Sequence, residues 1–444
     1  MTLMAGISGV RGIIGESLTP TVVLEYAQAY GTLLHGGRVV LARDSRPSGP
    51  HYEAVAAAGL VATGCKVTNL GLAMTPTVGW TIRDGRFDGG VVITASHNPG
   101  PWNGVKFLDD LGVAPDPERA RQIAAIRAAG SFRLIKSGFA PIEVDAAAGA
   151  RHVQAVLSAC ETDLRPLKGL RLVLDSVNGA GCLHTPALLQ ALGCEVVHLN
   201  GAPTGEFAHP PEPLRENLEQ LCAAVRETKA ALGCAQDPDA DRLALVDARG
   251  QYIGEEYTLA LATWAVLSRR PGPVAANLST SRMIDDVAAR YGATVIRTPV
   301  GESHVAHAML AHACVIGGEG NGGVIDPRIA YVRDSLSAIS LVLQLLAATG
   351  KTVGQLVAEL PQCSMLKQKL ELPRERIDPA VKAVAAAFAA RQPNTADGVR
   401  VDFDAGWVHL RASNTEPILR IIAEARTQAE AAALVAQVRS AAGL

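Results

Sequence analysis

The eight cysteines of this chain, at 65, 160, 182, 194, 222, 234, 314 and 363, include no C-x-x-C pair and no close Cys/His cluster. That excludes the usual thiolate zinc site and reads as small buried hydrophobes of a reducing compartment. Long apolar runs are missing too. The longest, near Thr258–Leu267 and Ala338–Ala348, are too short or too interrupted to span a bilayer. The N-terminus has no basic region followed by an apolar stretch, so no signal peptide is expected. Neither sign of charge is in excess: Lys+Arg is 41 against Asp+Glu 43, a net charge of −2. Nothing global draws in nucleic acid or an anionic membrane, so an anionic ligand must meet a local cluster of basic groups. The expectation is a soluble cytoplasmic protein with small-molecule partners, no nucleic acid and no membrane, and with the oligomeric state unknown.

What is present is enough apolar material for several cores. The chain has 444 residues, 48% of them hydrophobic and 19% charged, which suggests about three or four globular domains. Thr19-Pro20 reads as a helix cap followed by proline at the first helical position. Strand and helix then alternate through Arg38–Leu41, Tyr52–Thr63, Lys66–Leu70, Pro76–Asp84 and Gly90–Thr94. This rhythm predicts a mostly parallel α/β sheet. It restarts near Leu170 and again near Val274. The last segment differs. Val399–Phe403 and Trp407–Arg411 flank a turn at Asp404-Ala405-Gly406, and Thr427 to Glu430 is a capping box. The expected domains are 1–150, 151–252, 253–368 and 369–444, with alanine-rich helix surface at 120–129 and 382–390.

Four stretches carry chemistry. Thr94-Ala95-Ser96-His97-Asn98-Pro99 follows the apolar run Gly90–Ile93. A short buried strand here would deliver Ser96 onto a polar loop, as a nucleophile or an acceptor of a transferred group. A serine in such a turn is more often a cap or turn residue, so the other stretches decide. Asp237-Pro238-Asp239-Ala240-Asp241-Arg242 precedes a strand. Extended backbone would send its three carboxylates to one face, costly unless a cation neutralises them, and hard oxygen ligands suit Mg²⁺. A calcium loop needs glycine sixth and glutamate twelfth, where this chain has Arg242 and Ala248. Gly317-Gly318-Glu319-Gly320-Asn321-Gly322-Gly323 neither carries a lysine nor leads into a helix, unlike a phosphate loop. Glu319 and Asn321 suit sugar hydroxyls instead. Arg411-Ala412-Ser413-Asn414-Thr415-Glu416-Pro417, with Arg420 beyond, has the composition of an anion nest.

In this order and combination, the four motifs resemble the alpha-D-phosphohexomutase family across the whole chain. The resemblance implies three similar mixed α/β domains plus a C-terminal α+β domain around a central cleft. It implies that Ser96 is carried as a phosphoserine and that Asp237, Asp239 and Asp241 hold Mg²⁺ against its phosphate, with Ser96 completing the metal site. Arg242 would add a donor fork to the phosphoryl oxygens. His97 and Lys106 match residues beside the transferred phosphate, with Lys106 a general acid or base. Arg11 matches an arginine directed into the active site. Glu319, Gly320 and Asn321 match the sugar loop, while Arg411, Ser413, Asn414, Thr415 and Arg420 match the phosphate clamp. The implied reaction passes a phosphoryl group between Ser96 and a hexose phosphate through a hexose 1,6-bisphosphate, which is intermediate and activator.

For the sugar, the loop 318–323 and its companion Thr298-Pro299-Val300-Gly301-Glu302 look like the archaeal-type phosphoglucosamine mutases. Glu302 places a carboxylate where many phosphomannomutases and phosphoglucomutases have histidine, and it could pair with a protonated 2-amino group. Against this, Arg411–Thr415 is at least as typical of the phosphomannomutase/phosphoglucomutase branch. Ser279-Thr280-Ser281 also lacks a lysine that some of that branch carry. Glucosamine 6-phosphate to glucosamine 1-phosphate is the favoured reaction, with phosphomannomutase/phosphoglucomutase the alternative. A serine phosphatase and a non-catalytic sugar-phosphate binding protein are the rivals from other classes.

Overall fold

The computed structural model describes residues 3–412 and 418–444. The first helix, Pro20–Leu33, starts where the sequence places it: the Thr19 hydroxyl accepts from Val22 N and Pro20 occupies the first helical position. The terminal helix Gln428–Ala441 likewise opens on both halves of the Thr427–Glu430 capping box.

Four sheets organise the chain, one of seven strands and three of four. The first has a parallel part, Arg38–Arg43, Lys66–Leu72, Gly89–Ile93 and Glu143–Val144. It also has three antiparallel strands that, like Glu143–Val144, the sequence reading did not register. Trp102–Leu108 runs antiparallel to Gly89–Ile93, and Gly9–Ile13 and Met4–Gly6 add on beyond it. The second sheet aligns Arg171–Asp175, Glu195–Leu199 and Leu232–Gln236 in parallel, with Leu243–Asp247 antiparallel at the edge. The third repeats that plan with Val274–Asn277, Val295–Thr298 and Ile316–Glu319, and Gly323–Ile325 antiparallel. The second and third sheets are mostly parallel, as expected, and the domains are mixed α/β as the resemblance implies. Each α/β sheet is mixed, because in each a strand turns back on its neighbour through a short polar loop.

Those three turning loops are three of the four chemical stretches of the sequence. The serine loop joins Gly89–Ile93 to Trp102–Leu108, the aspartate loop joins Leu232–Gln236 to Leu243–Asp247, and the glycine loop joins Ile316–Glu319 to Gly323–Ile325. They lie at the carboxyl ends of buried strands, where open α/β sheets expose functional groups.

The fourth sheet is wholly antiparallel, in the order Ser364–Glu371, Ile418–Ala425, Gly406–Ala412, Val399–Phe403. It packs on its own core with the helices Arg374–Ala387 and Gln428–Ala441. The second and third units instead share one apolar cluster, which includes Leu174, Leu245, Leu259, Ile316 and Leu343. Their loops are thus held by a common core. Among the described residues no helix is long and apolar enough to cross a membrane.

Candidate active site

All five residues of Gly89–Ile93 are buried, and the strand ends at a serine with an unusual backbone. Ser96 has φ of +51°, in the left-handed region that β-carbon sterics disfavour. What holds it there is a buried pair from the preceding loop. Arg46 donates to the carbonyls of Ser96 at 2.9 Å, Asn98 at 2.5 Å and Trp102 at 2.9 Å, and pairs with Asp44. The Thr94 hydroxyl donates to Asp44 Oδ2 at 2.7 Å and accepts from Ser96 N at 2.9 Å. A satisfied buried network of this kind rigidifies the loop it serves. It leaves the Ser96 hydroxyl donating to Asp237 Oδ2 at 3.0 Å, with His97 Nδ1 at 3.4 Å.

Asp237, Asp239 and Asp241 are all buried, and a ligand oxygen from each lies within 4.8 Å of the others. Their convergence has a different cause from extended backbone. The loop curls, with Ala240 at φ of +54° and its N–H donating to Asp237 O. Each carboxylate is held through one oxygen. Asp237 Oδ1 accepts from the amides of Asp241 and Arg242, both at 3.1 Å. Asp239 Oδ2 accepts from the Thr75 hydroxyl at 2.6 Å, and Asp241 Oδ2 accepts from Arg333 Nη2 at 2.6 Å. The other oxygens face inward. Asp237 Oδ2 meets Ser96, while Asp239 Oδ1 and Asp241 Oδ1 are buried without a hydrogen-bond partner among the described residues. Buried, orphaned carboxylate oxygens are costly, and a hard divalent cation is the group that satisfies them.

The electrostatics are those of a crowded acidic nest. Burial, then Asp241 and Asp239, push the Asp237 carboxyl well above its usual range. Burial acts the same way on Asp241, but Arg333, Lys106 and Arg242 outweigh it and hold that carboxyl below its usual value. Arg242, then burial, then Arg11 lower the His97 imidazole well below its ordinary value. Burial lowers Arg11 as well. Its Nη1 donates to Asn98 Oδ1 at 3.3 Å, from the strand Gly9–Ile13. Lys106 sits on Trp102–Leu108, with Nζ 3.4 Å from Asp241 Oδ2 and 3.8 Å from Glu302 Oε1. Arg242 Nε lies 3.9 Å from Asp237 and 3.8 Å from Asp241, and Nη1 is 3.6 Å from Glu212.

The glycine loop is a hairpin turn whose polar groups are largely engaged within the protein. Glu319 Oε1 accepts from Asn277 Nδ2 at 2.8 Å and Gly301 N at 3.1 Å. Its Oε2 accepts from Arg333 Nη1 at 2.7 Å. Asn321 folds back, accepting from Gly323 N at 3.2 Å and donating to Glu319 at 3.5 Å. Gly320 N donates to Thr280 Oγ1 at 3.0 Å. Glu302 opens the helix Glu302–His312. Its Oε2 accepts from Arg333 Nε at 2.7 Å, while its Oε1 is buried with no hydrogen bond among the described residues.

Arg411 and Arg420 stand directly opposite each other on neighbouring strands, with Lys369 opposite Arg420 on its other side. Like charges in register repel, so the row is suited to an anion. Asp397 Oδ2 accepts from Arg411 Nε at 2.9 Å and from Val300 N at 3.0 Å, which ties the clamp to the companion loop. Ser413, Asn414 and Thr415 lie outside the described residues.

Family models for phosphoglucomutase/phosphomannomutase match four successive parts of the chain. These are alpha/beta/alpha domain I at residues 2–134, domain II at 150–250, domain III at 254–363 and the C-terminal domain at 368–441. This chain belongs to the alpha-D-phosphohexomutase family. A probable phosphoglucosamine mutase of Methanopyrus kandleri is 39% identical over 96% of this chain and 94% of that one. A phosphoglucomutase/phosphomannomutase of Thermococcus kodakarensis is 38% identical over 97% and 96%. Among solved structures, a phosphoglucomutase/phosphomannomutase family protein from Burkholderia thailandensis superimposes with a TM-score of 0.87 at 27% identity, covering 99% of this chain and 98% of that one.

For this phosphohexomutase, the structure brings Ser96, His97, Lys106, Arg11, the three aspartates, Arg242, Glu302 and Glu319 into one connected cluster. Arg411 joins it through Asp397. Sequence reasoning missed Arg333, Thr75 and the Asp44–Arg46 pair. Thr75 acts on an aspartate 164 positions away. Arg333 had no signal beyond the helix cap Asp334 beside it. Nothing in their residue types marks such contacts before the chain is folded.

Proposed function

We propose that this phosphohexomutase interconverts hexose 1- and 6-phosphates through phosphorylated Ser96, and that glucosamine phosphate is its preferred sugar. The observation that carries this is the Ser96 hydroxyl, 3.0 Å from Asp237 at the rim of three buried carboxylates, two of them half-satisfied among the described residues. A phosphate on that oxygen would carry about −1.5 to −2 charge against three carboxylates, an arrangement that needs a cation. Asp237, Asp239 and Asp241 would hold Mg²⁺, with the Ser96 phosphate beside it. When bound, Mg²⁺ would offset charge on the phosphoryl oxygens.

The phosphoryl group leaves Ser96 Oγ for the free hydroxyl of the hexose phosphate, giving hexose 1,6-bisphosphate and a serine hydroxyl. The proton lost by the sugar hydroxyl and the one gained by Ser96 pass by way of Lys106 and His97. Arg242 and Arg11 face the phosphoryl oxygens. The bisphosphate turns end for end, and its other phosphoryl group returns to Ser96. Arg411 and Arg420, with Ser413, Asn414 and Thr415, hold the phosphate that is not moving. Glu319, Gly320 and Asn321 border the sugar.

Support for the amino sugar comes from Glu302. Its Oε1 is a buried carboxylate oxygen with no hydrogen bond among the described residues, Lys106 Nζ standing 3.8 Å away, and a protonated 2-amino group would satisfy it. The Methanopyrus relative's name agrees. The Thermococcus relative, almost as similar, favours glucose or mannose phosphate as a second reading.

Intact-mass and peptide analysis should find phosphate on Ser96 in part of the purified protein. Ser96→Ala should lower turnover of every hexose phosphate by roughly three orders of magnitude or more. Near-wild-type turnover in that variant would falsify the phosphoserine route.

A further inference from the structure

Arg333 is buried, and each of its three nitrogens meets a different carboxylate. Nη2 donates to Asp241 Oδ2 at 2.6 Å, Nε to Glu302 Oε2 at 2.7 Å and Nη1 to Glu319 Oε2 at 2.7 Å. These acceptors come from the aspartate loop, the helix after the companion loop and the glycine loop. Burial would lower the guanidinium, but the three carboxylates outweigh it and raise it well above its ordinary value. Its fork is planar and rigid, so the three acceptors are fixed in angle as well as distance.

The backbone under Arg333 is fixed too. Asp334 N donates to Val324 O at 2.8 Å, and the Asp334 side chain caps the helix Ser335–Thr349. The Ser335 hydroxyl then donates to Ala240 O at 2.6 Å, inside the aspartate loop. On the other side, Leu243 N donates to Gly322 O at 3.0 Å, so the aspartate and glycine loops are joined at the backbone as well.

Gly323 shows what this arrangement demands. A Cβ built there would lie 2.1 Å from Arg333 Cδ and 2.8 Å from Cγ. Those atoms are mid-chain, held at one end by the backbone and at the other by three ion pairs. They have no room to give. The backbone of Gly323 is not left-handed, so the glycine serves space rather than conformation. Residue 323 is bare because the arginine occupies the volume its side chain would take.

We propose that Arg333 is a positioning residue that sets the metal-facing Asp241 and the sugar-facing Glu302 and Glu319 in one frame, and that Gly323 is the gap that admits it. The inference rests on the reading of this site as a hexose-phosphate site. In that frame Asp241 Oδ1 and Glu302 Oε1 are the oxygens left over for ligands, one on each side of the same guanidinium. A single arginine thereby aligns the phosphoryl end of the site with the sugar end.

The test uses the full chain with Arg333→Lys, Arg333→Met, Gly323→Ala and the double variant Gly323→Ala/Arg333→Met. Binding of glucose 1-phosphate and glucosamine 6-phosphate is measured by calorimetry, with KM, kcat and Tm alongside. Lysine keeps the charge but cannot reach three acceptors in fixed directions. Arg333→Lys should therefore fold with a Tm near wild type, yet raise KM and weaken binding roughly ten-fold or more. Gly323→Ala should have a similar effect in the wild-type background but add less than about two-fold to Arg333→Met, since neighbours that act through one contact are not additive. If Arg333→Met fails to fold, the lysine and alanine variants decide alone. Wild-type KM and binding in Arg333→Lys would reduce the arginine to a counter-ion and overturn the proposal. So would an unaffected Gly323→Ala, or full additivity in the double variant. Failure of the wild type to bind either sugar phosphate overturns the hexose-phosphate reading itself, and this inference with it.

Discussion

The aspartate loop and the glycine loop occupy the same place in their sheets, each turning a buried strand onto an antiparallel edge strand. Yet they are finished to different degrees. In the aspartate loop Asp239 and Asp241 are each held by one oxygen and leave the other without a hydrogen-bond partner among the described residues, while Asp237 Oδ2 meets only the Ser96 hydroxyl, so the place proposed for a cation is built before any ligand arrives. In the glycine loop both oxygens of Glu319 already accept hydrogen bonds, and Asn321 is spent on its own turn. The metal side is preorganised. On the side proposed for the sugar, Glu302 Oε1 has no hydrogen bond among the described residues, and hydroxyl recognition by Glu319 would require sharing or exchange of bonds already made. A preformed site binds its ligand without reorganisation, while a tied one gives up some binding energy to open.

The largest expected effect tests the preorganised side. Asp239→Asn keeps an oxygen for the Thr75 hydroxyl but replaces the free ligand oxygen with an amide. Mn²⁺ binding, read by paramagnetic resonance without any sugar present, should weaken by about a hundred-fold. Chelator should stop turnover and Mg²⁺ restore it. Undiminished Mn²⁺ binding in this variant would erase the contrast between the two loops.

Next comes the clamp, which both orientations of the sugar would share. Arg420→Ala should raise KM for the 1-phosphate and the 6-phosphate alike, roughly ten- to a hundred-fold, the worth of a hydrogen bond to a charged group. If only one isomer suffers, the phosphate is held at two places and not one.

A smaller and more selective effect is expected from Glu302→Gln. Glutamine can still accept from Arg333 Nε, so the frame survives while the charge at Oε1 is lost. The kcat/KM ratio of glucosamine 6-phosphate over glucose and mannose phosphates should fall by about ten-fold. A ratio that starts in favour of glucose or mannose and does not move assigns the sugar to the second reading.

The smallest effect concerns the floor of the glycine loop. The Glu256 carboxylate lies under Gly320, where a Cβ would come within 2.0 Å of it, and accepts from Ser281 N at 3.0 Å. Burial pushes this carboxyl up to about 8, so the folded protein keeps a proton that the unfolded chain releases near its ordinary 4.5. The stability that proton contributes is full below the unfolded value and is lost as pH rises through the folded one. Tm should therefore decline between pH 5 and about 8, and Glu256→Gln, permanently neutral, should flatten that decline. An unchanged slope would detach Glu256 from the loop above it.

Much of this was legible before folding. Ser96 follows a wholly apolar strand, three carboxylates alternate through Asp237–Asp241, and Thr427 and Glu430 sit at capping-box spacing. These are local patterns, and local patterns follow from the chain's own stereochemistry. The strand Trp102–Leu108 was not legible, because Asn98-Pro99-Gly100-Pro101 reads as an end to regular structure. It ends one strand and turns the chain into the next. The aspartates converge for a reason other than alternation, since Pro238 and the left-handed Ala240 curl the loop around Asp237.

By itself, then, the sequence determined which residue types stand on which loops, and through them the family and the kind of reaction. Only the tertiary structure decided which oxygen of Asp239 and of Asp241 is left without a hydrogen bond among the described residues. Thr75, 164 positions before Asp239, takes one oxygen there, and Arg333, 92 positions after Asp241, takes another. The choice is made by partners that come near only when separate sheets pack, and a buried carboxylate offers a ligand whatever its neighbours leave unbonded.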